Sequence, residues 1–90
     1  MSREDHLEDA ADALRQASDA ADGEAAERLT KKADSFEEAA AEAKTLDHGT
    51  LARHEHGLRE VSDDEGGAVA DHVDDALEAI TEYRSTVEGV

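Results

Sequence analysis

The last quarter of the chain carries the strictest pattern in the sequence. Between Gly67 and Glu88 apolar residues recur at steps of four, three, four, three and four, namely Val69, Val73, Ala76, Ile80, Tyr83 and Val87. Carboxylates occupy the opposite side of the same helical projection, namely Asp71, Asp74, Asp75, Glu78 and Glu82. This period is that of an α-helix with one buried face and one solvated face. Because a lone helix cannot bury such a face, the rest of the chain must supply its partners.

Three further segments repeat this period with smaller side chains. Helices are predicted from Ser2, which can cap the first one, to Gly23, from Glu24 to Thr45, and from about His48 to Asp63, with Asp47 or Thr50 as the third cap. The expected inward residues are Leu7, Ala10 or Ala11, Leu14, Ala17 or Ser18 and Ala21, then Ala25 or Ala26, Leu29, Ala33, Phe36, Ala40 and Ala43, then Leu51, His54, Leu58 and Val61. Gly57 lowers the propensity of the third helix by ~1 kcal/mol relative to alanine. It either accommodates a close neighbour or merely weakens the helix.

The order of the segments predicts an all-α fold, an up-down four-helix bundle built from two antiparallel helical hairpins. Residues 1–90 form one domain, with turns at Asp22-Gly23 and at 62–67. A less favoured arrangement leaves the short third helix as a connector in a dimeric bundle. Alanine supplies 18 of the 34 apolar residues, so the core is thin. We therefore expect a second copy to complete it in a homodimer.

Acidic residues dominate the positions left for the surface. The chain has 25 Asp and Glu against nine Lys and Arg, with a formal net charge of −16. So many like charges repel one another. At molar salt the Debye length falls to ~3 Å and this repulsion is screened. The acidic composition therefore favours a cytoplasmic protein of a salt-accumulating halophile. The chain has no cysteine, its start is charged, and no apolar run approaches the ~18 residues of a membrane span. We therefore expect no disulfide and no membrane partner.

The five histidines are the first residues to consider for chemistry: His6, His48, His54, His56 and His72. Metal sites in bundles often use Glu-x-x-His, and no histidine here has Asp or Glu three residues before it. His54 and His56 point about 200° apart on a helix, so we expect a partly buried His54 and a solvated His56. His72 is expected to form a surface ion pair with Asp75. With no Gly-x-Ser-x-Gly turn either, the sequence predicts no catalytic residue, no metal, no cofactor and no enzyme.

The candidate binding surface is the acidic ladder of the last helix, Asp71, Asp74, Asp75, Glu78 and Glu82, echoed by Asp34, Glu38 and Glu42. Like charges four residues apart cost an isolated helix ~0.2–0.5 kcal/mol per pair, so the surroundings must tolerate them. A salt-screened surface does so. The alternatives are a phosphate-mimicking face that occupies the groove of a basic protein, and divalent-cation binding. Calcium is less favoured because residues 63–67 lack the ligand spacing of an EF-hand.

Basic residues cluster locally at Arg28, Lys31 and Lys32. Glu24 and Glu27 precede the first two by four residues, so we expect intrahelical pairs from Glu24 to Arg28 and from Glu27 to Lys31. No aromatic stacking platform and no phosphate-binding loop accompany this cluster. Direct nucleic-acid binding is therefore not expected.

Three segments resemble a family of small acidic haloarchaeal proteins of unknown function. They are Met1-Ser2-Arg3-Glu4, Leu51-Ala52-Arg53 through Leu58-Arg59-Glu60, and Tyr83-Arg84 through Val87-Glu88-Gly89-Val90. The resemblance covers essentially the whole chain and implies no activity and no functional residue.

The expected function is protein–protein association, including self-association. The alternative is an acidic nucleic-acid mimic that sequesters a basic nucleic-acid-binding protein. The two hypotheses differ in whether the acidic ladder engages a partner or only faces solvent.

Overall fold

The structure, a computed structural model, describes residues 2–87. It contains four helices, α1 (Arg3–Ala20), α2 (Gly23–Ala41), α3 (His48–Glu65) and α4 (Gly67–Thr86), and the described range has no strand. The predicted all-α four-helix bundle is confirmed. Helix α1 packs against both α2 and α4, and α3 packs against α4, whereas α2 and α3 make the smallest contact of the four neighbouring pairs. The bundle is therefore tight on three sides and loose on the fourth.

Two side chains start helices as the sequence predicts. The Ser2 hydroxyl accepts a hydrogen bond from the Asp5 N–H at 3.3 Å, and the Asp5 carboxylate accepts one from the Ser2 N–H at 3.0 Å. This reciprocal capping box satisfies two free N–H groups at the start of α1. At α3 the Asp47 carboxylate accepts from the Thr50 N–H at 2.7 Å, and this bond lowers the pKa of Asp47 below its ordinary value.

The end of α2 differs from the prediction. The helix stops at Ala41 and not at Thr45, because Ala43 adopts a left-handed φ of 53°. The N–H of Lys44 then donates to the carbonyl of Ala39 at 2.9 Å, which closes a Schellman turn. Glycine normally marks this position, and an alanine gives no such signal. The predicted inward placement of residue 43 is therefore wrong, since it lies exposed beyond the helix.

The end of α3 also differs from the prediction. The helix continues to Glu65, two residues past the predicted Asp63. Gly66 has φ 62°, and it is the residue at which the chain turns into α4. A backbone with positive φ suits glycine because it has no Cβ to clash.

Most of the predicted core positions are confirmed. All six residues predicted to face inward from the last helix are buried, and α1 buries six residues because it has neighbours on two sides. In α2 the predicted Ala33 is buried, and Ala39 is buried where the prediction had Ala40, which is half-buried. In α3 the predicted leucines and Val61 are buried, while His54 is half-buried and Glu55 is buried beside it. The buried stripe of α3 therefore contains one charged residue, Glu55.

The four helices leave little apolar surface uncovered. The largest side chains, from Tyr83 and Phe36 to the core leucines, are fully buried, and Leu46 and Leu77 are half-buried. Because α3 is a full helix that packs on α4, the alternative of a short connector is wrong. None of the described helices combines the length and the apolarity needed to cross a bilayer.

Candidate functional site

The acidic ladder of α4 is exposed along its whole length. Within residues 2–87 Glu82 is the ladder residue with a basic neighbour, since its carboxylate lies 3.4 Å from Nδ1 of His6. No basic group of the described residues lies within 4.0 Å of the other four carboxylates. The acidic residues of α2 are partly neutralised, because Arg15 of α1 pairs with Asp34 at 2.9 Å. The α4 ladder is therefore much less neutralised than the acidic group of α2.

Part of the ladder forms one side of a shallow groove between α1 and α4. The groove has a volume of about 230 Å³, and its carboxylates are Asp9 of α1 and Asp75, Glu78 and Glu82 of α4. We call these four residues the acidic groove. The sequence did not point to Asp9, because its relation to α4 depends on which helices become neighbours. Four carboxylates facing one groove create a negative field that attracts a cationic group.

A buried ion pair joins α3 to α4. Glu55 is 6% exposed, and its Oε1 accepts a short hydrogen bond from Nη1 of Arg84. Nη2 of Arg59 lies 3.8 Å from the other carboxylate oxygen. The Nε of Arg84 also donates to Nδ1 of His48 at 3.4 Å. Glu55, Arg84 and His48, with Thr81 and Ser85, line an open cleft of about 430 Å³.

Sequence reasoning missed Glu55, although the spacing contained a signal. Steps of four and three from Leu51 reach Glu55 and Leu58, whereas steps of three and four reach His54 and Leu58. Both paths fit a helical stripe. The presence of Arg84 on the neighbouring helix decides between them, since a buried carboxylate requires a partner. The cluster links α3 to α4 through the contacts of Arg84 with Glu55 and His48.

His54 packs against an aromatic ring, with its ring centroid 4.9 Å from that of Phe36 and an interplanar angle of 49°. Its Nδ1 lies 3.5 Å from Nζ of Lys32 and accepts from that ammonium group. Burial lowers the pKa of His54 below its ordinary value, and the charges of Lys32 and Arg53 lower it further. The predicted partial burial of His54 is confirmed.

His56 and His72, for which the sequence also made predictions, have different outcomes. His56 is exposed, as predicted, and its Nε2 lies 3.4 Å from a carboxylate oxygen of Glu60. The predicted ion pair of His72 with Asp75 is wrong, because no carboxylate of the described chain lies within 4.0 Å of the half-buried His72. Among residues 2–87 no three His, Cys, Asp or Glu side chains are grouped as metal ligands.

The basic cluster of α2 also departs from the prediction. Neither Glu24 to Arg28 nor Glu27 to Lys31 forms an ion pair within 4.0 Å. The side chain of Lys32 instead reaches across to α3 and lies over Gly57, which is buried. Gly57 therefore accommodates a close neighbour.

Comparison with known proteins places the chain in one family. Residues 1–86 match the model of DUF7553, a family of unknown function, and the chain belongs to that family. The search of curated proteins found no match, and neither did the search of solved structures.

Proposed function

We propose that this member of the DUF7553 family is a non-enzymatic protein-association module whose acidic groove binds a cationic surface of a partner protein. The observation that carries the proposal is that some of its carboxylates have a basic partner whereas those of the groove do not. Asp34 is neutralised by Arg15 and Glu55 by Arg84, whereas Asp9, Asp75 and Glu78 face one groove with no basic group of the described residues within 4.0 Å. Such a groove supplies the charge complementarity that steers and orients a basic partner.

The burial of the apolar side chains supports a contact with the partner protein that is mainly polar. Apart from the half-buried Leu46 and Leu77, the large apolar side chains of the described residues are already packed inside the bundle. A partner would therefore meet charged and small residues, with little further hydrophobic surface to bury. We propose the same polar character for a homodimer, which would have to overcome repulsion between two chains of net charge −16.

We further propose that the protein works in the cytoplasm of a halophile. Its charge of −16 on 90 residues is tolerable where salt screens repulsion over a few ångströms. Molar salt also weakens exposed contacts between partners, so an acidic groove would need a partner with several cations placed to match it.

A nucleic-acid mimic is a second candidate, supported by the charge spacing of α4. Asp71, Asp75, Glu78 and Glu82 follow one side of α4 over roughly 16 Å at 1.5 Å per residue. The ladder carries one charge about every 5.5 Å, whereas one phosphate strand of DNA carries one about every 3.4 Å, so the ladder has the same sign and a somewhat lower charge density. Asp9 raises that density from the neighbouring helix. The partner of this function is a basic nucleic-acid-binding protein.

Affinity capture from the source lysate at molar salt tests the proposal. The variant Asp75→Asn/Glu78→Gln removes two groove charges, and Glu27→Gln/Asp63→Asn removes two exposed charges elsewhere as a matched control. We expect the same partner, identified by mass spectrometry, on the native protein and the control, and its loss from the groove variant. Equal capture by all three proteins contradicts the proposal. Release of the partner by duplex DNA favours the mimic.

Light scattering on the purified protein tests self-association separately. A stable dimer has a mass near twice 9.6 kDa. If the acidic groove mediates it, the groove variant is monomeric and the control variant remains a dimer. A monomer in every case makes the partner another protein.

A further inference from the structure

Most basic side chains outside one region have a carboxylate partner. The described ion pairs join Arg15 to Asp34 and Glu37, Lys44 to Glu42, and both Arg59 and Arg84 to Glu55. No carboxylate of residues 2–87 lies within 4.0 Å of Arg28, Lys31, Lys32 or Arg53. These four cations lie on α2 and α3, the neighbouring pair with the smallest contact. Two of them, Arg28 and Lys32, lie at the seam between these two helices, which is a distinct feature in so acidic a chain.

Two of these cations converge on one point of α3. The position that a Cβ would occupy on Gly57 is 3.0 Å from Nζ of Lys32 and 3.9 Å from Nη2 of Arg28. The two charged groups therefore lie within about 7 Å of each other. His54, one turn earlier on α3, accepts from Lys32 at 3.5 Å. We call Arg28, Lys32, His54 and Gly57 the cationic notch.

The cations of the notch are held at an electrostatic cost. Partial burial lowers the pKa of Lys32, and the charge of Arg28 lowers it further. Glu60 opposes this shift but lies beyond ion-pair distance. An anion between the two cations would relieve their repulsion and restore the pKa of Lys32.

We propose that the cationic notch binds one small oxyanion of the phosphate class. An ammonium group and a guanidinium group that converge from one helix are the donors that proteins commonly use for such anions. The adjoining end of the seam is lined by Glu24, Asp64 and Glu65 as well as Arg28, so a long polyanion would be repelled there. The net charge of −16 has the same effect at longer range.

Gly57 is part of the notch because its missing side chain leaves room for the cations. A Cβ only 3.0 Å from Nζ would shift the flexible end of Lys32 by a few tenths of an ångström, while the charge of the chain would not change. The variant Gly57→Ala thus separates the geometry of the notch from its net charge.

Titration of the isotope-labelled protein followed by NMR tests the proposal. Sodium phosphate is compared with sodium chloride at equal ionic strength, on the native protein, on Lys32→Gln and on the matched control Lys44→Gln. Lys44 is exposed and lies on the loop after α2. We expect a saturable shift at His54 and Gly57 with phosphate and a higher pKa of Lys32. Binding should be about tenfold weaker in Lys32→Gln, from the loss of one charge-assisted contact, and unchanged in the control.

Two outcomes overturn the proposal, namely equal shifts with chloride at the same ionic strength and unchanged phosphate binding in Lys32→Gln. Gly57→Ala should also weaken binding while circular dichroism shows an intact bundle. A parallel titration with glycerol 2-phosphate identifies the source of the anion. Binding equal to that of phosphate indicates recognition of a terminal phosphate on a larger molecule, and binding of inorganic phosphate alone indicates the free ion.

Discussion

Replacement of Arg84 by methionine tests the buried ion pair between α3 and α4. Methionine keeps much of the length and the apolar part of the side chain but removes the guanidinium group. Glu55, which is 6% exposed, then keeps only Arg59 at 3.8 Å as a cation within the described chain. Arg84→Met should therefore destabilise the fold by leaving a poorly compensated carboxylate inside it.

The size of the effect follows from the burial of the two partners. Breaking a fully buried pair costs ~3–5 kcal/mol. The Arg84 side chain is 37% exposed, so water and Arg59 replace part of its interaction with Glu55. We therefore expect Arg84→Met to lower the free energy of unfolding by about 2 kcal/mol. Glu55→Gln should cost less, about 1 kcal/mol, because its amide oxygen still accepts from Arg84 and the remaining cation reaches solvent. The double variant leaves no buried charge, so it should cost about 1 kcal/mol, with a coupling free energy of about 2 kcal/mol.

Urea unfolding followed by circular dichroism at fixed salt measures all three variants. A loss of 2 kcal/mol is a large part of the roughly 5–13 kcal/mol expected for 90 residues. Arg15→Met is the matched control, because it removes an equally short but exposed pair and should change stability little. Additive effects of the Glu55 and Arg84 substitutions, or an Arg84→Met effect as small as that of the control, would refute the reasoning. The Arg84→Met effect should also persist in 3 M salt, where exposed pairs are screened.

Three further predictions concern single contacts, pH and salt. Tyr83→Phe removes the hydroxyl that accepts from the Leu46 N–H at 3.0 Å, so urea unfolding should show a loss of about 1 kcal/mol; an unchanged midpoint contradicts this. Because the folded pKa of His54 is below 6.5, the unfolded chain takes up a proton at His54 before the folded chain does as the pH falls. The free energy of unfolding should therefore rise with pH from the folded pKa to about 6.5 and then level off. His54→Gln should flatten this rise below about pH 6.5, and equal slopes in both proteins would count against the burial of His54. Helicity should be lower in 0.1 M than in 3 M monovalent salt, and equal ellipticity in both would contradict halophilic adaptation.

Helix positions and most core residues could be predicted because both depend on spacing along a few turns. The α4 stripe from Val69 to Val87 is buried as its period indicates. Errors arose where the local signal was missing or ambiguous. Ala43, beyond the end of α2, adopts a left-handed conformation that glycine usually marks. In α3 the spacing allowed either His54 or Glu55 in the buried stripe, and Glu55 is the buried one.

The sites depended on contacts that no local pattern contains. The spacing of carboxylates along α4 is readable because one helix fixes their relative positions. That Asp9 joins them in a groove depends on α1 packing against α4. Likewise, Lys32 meets Gly57 because α2 and α3 close the last side of the bundle, although 25 residues separate the two in sequence. Helical periodicity thus decides which face of each helix is buried, whereas the packing of the four helices decides which charges become neighbours.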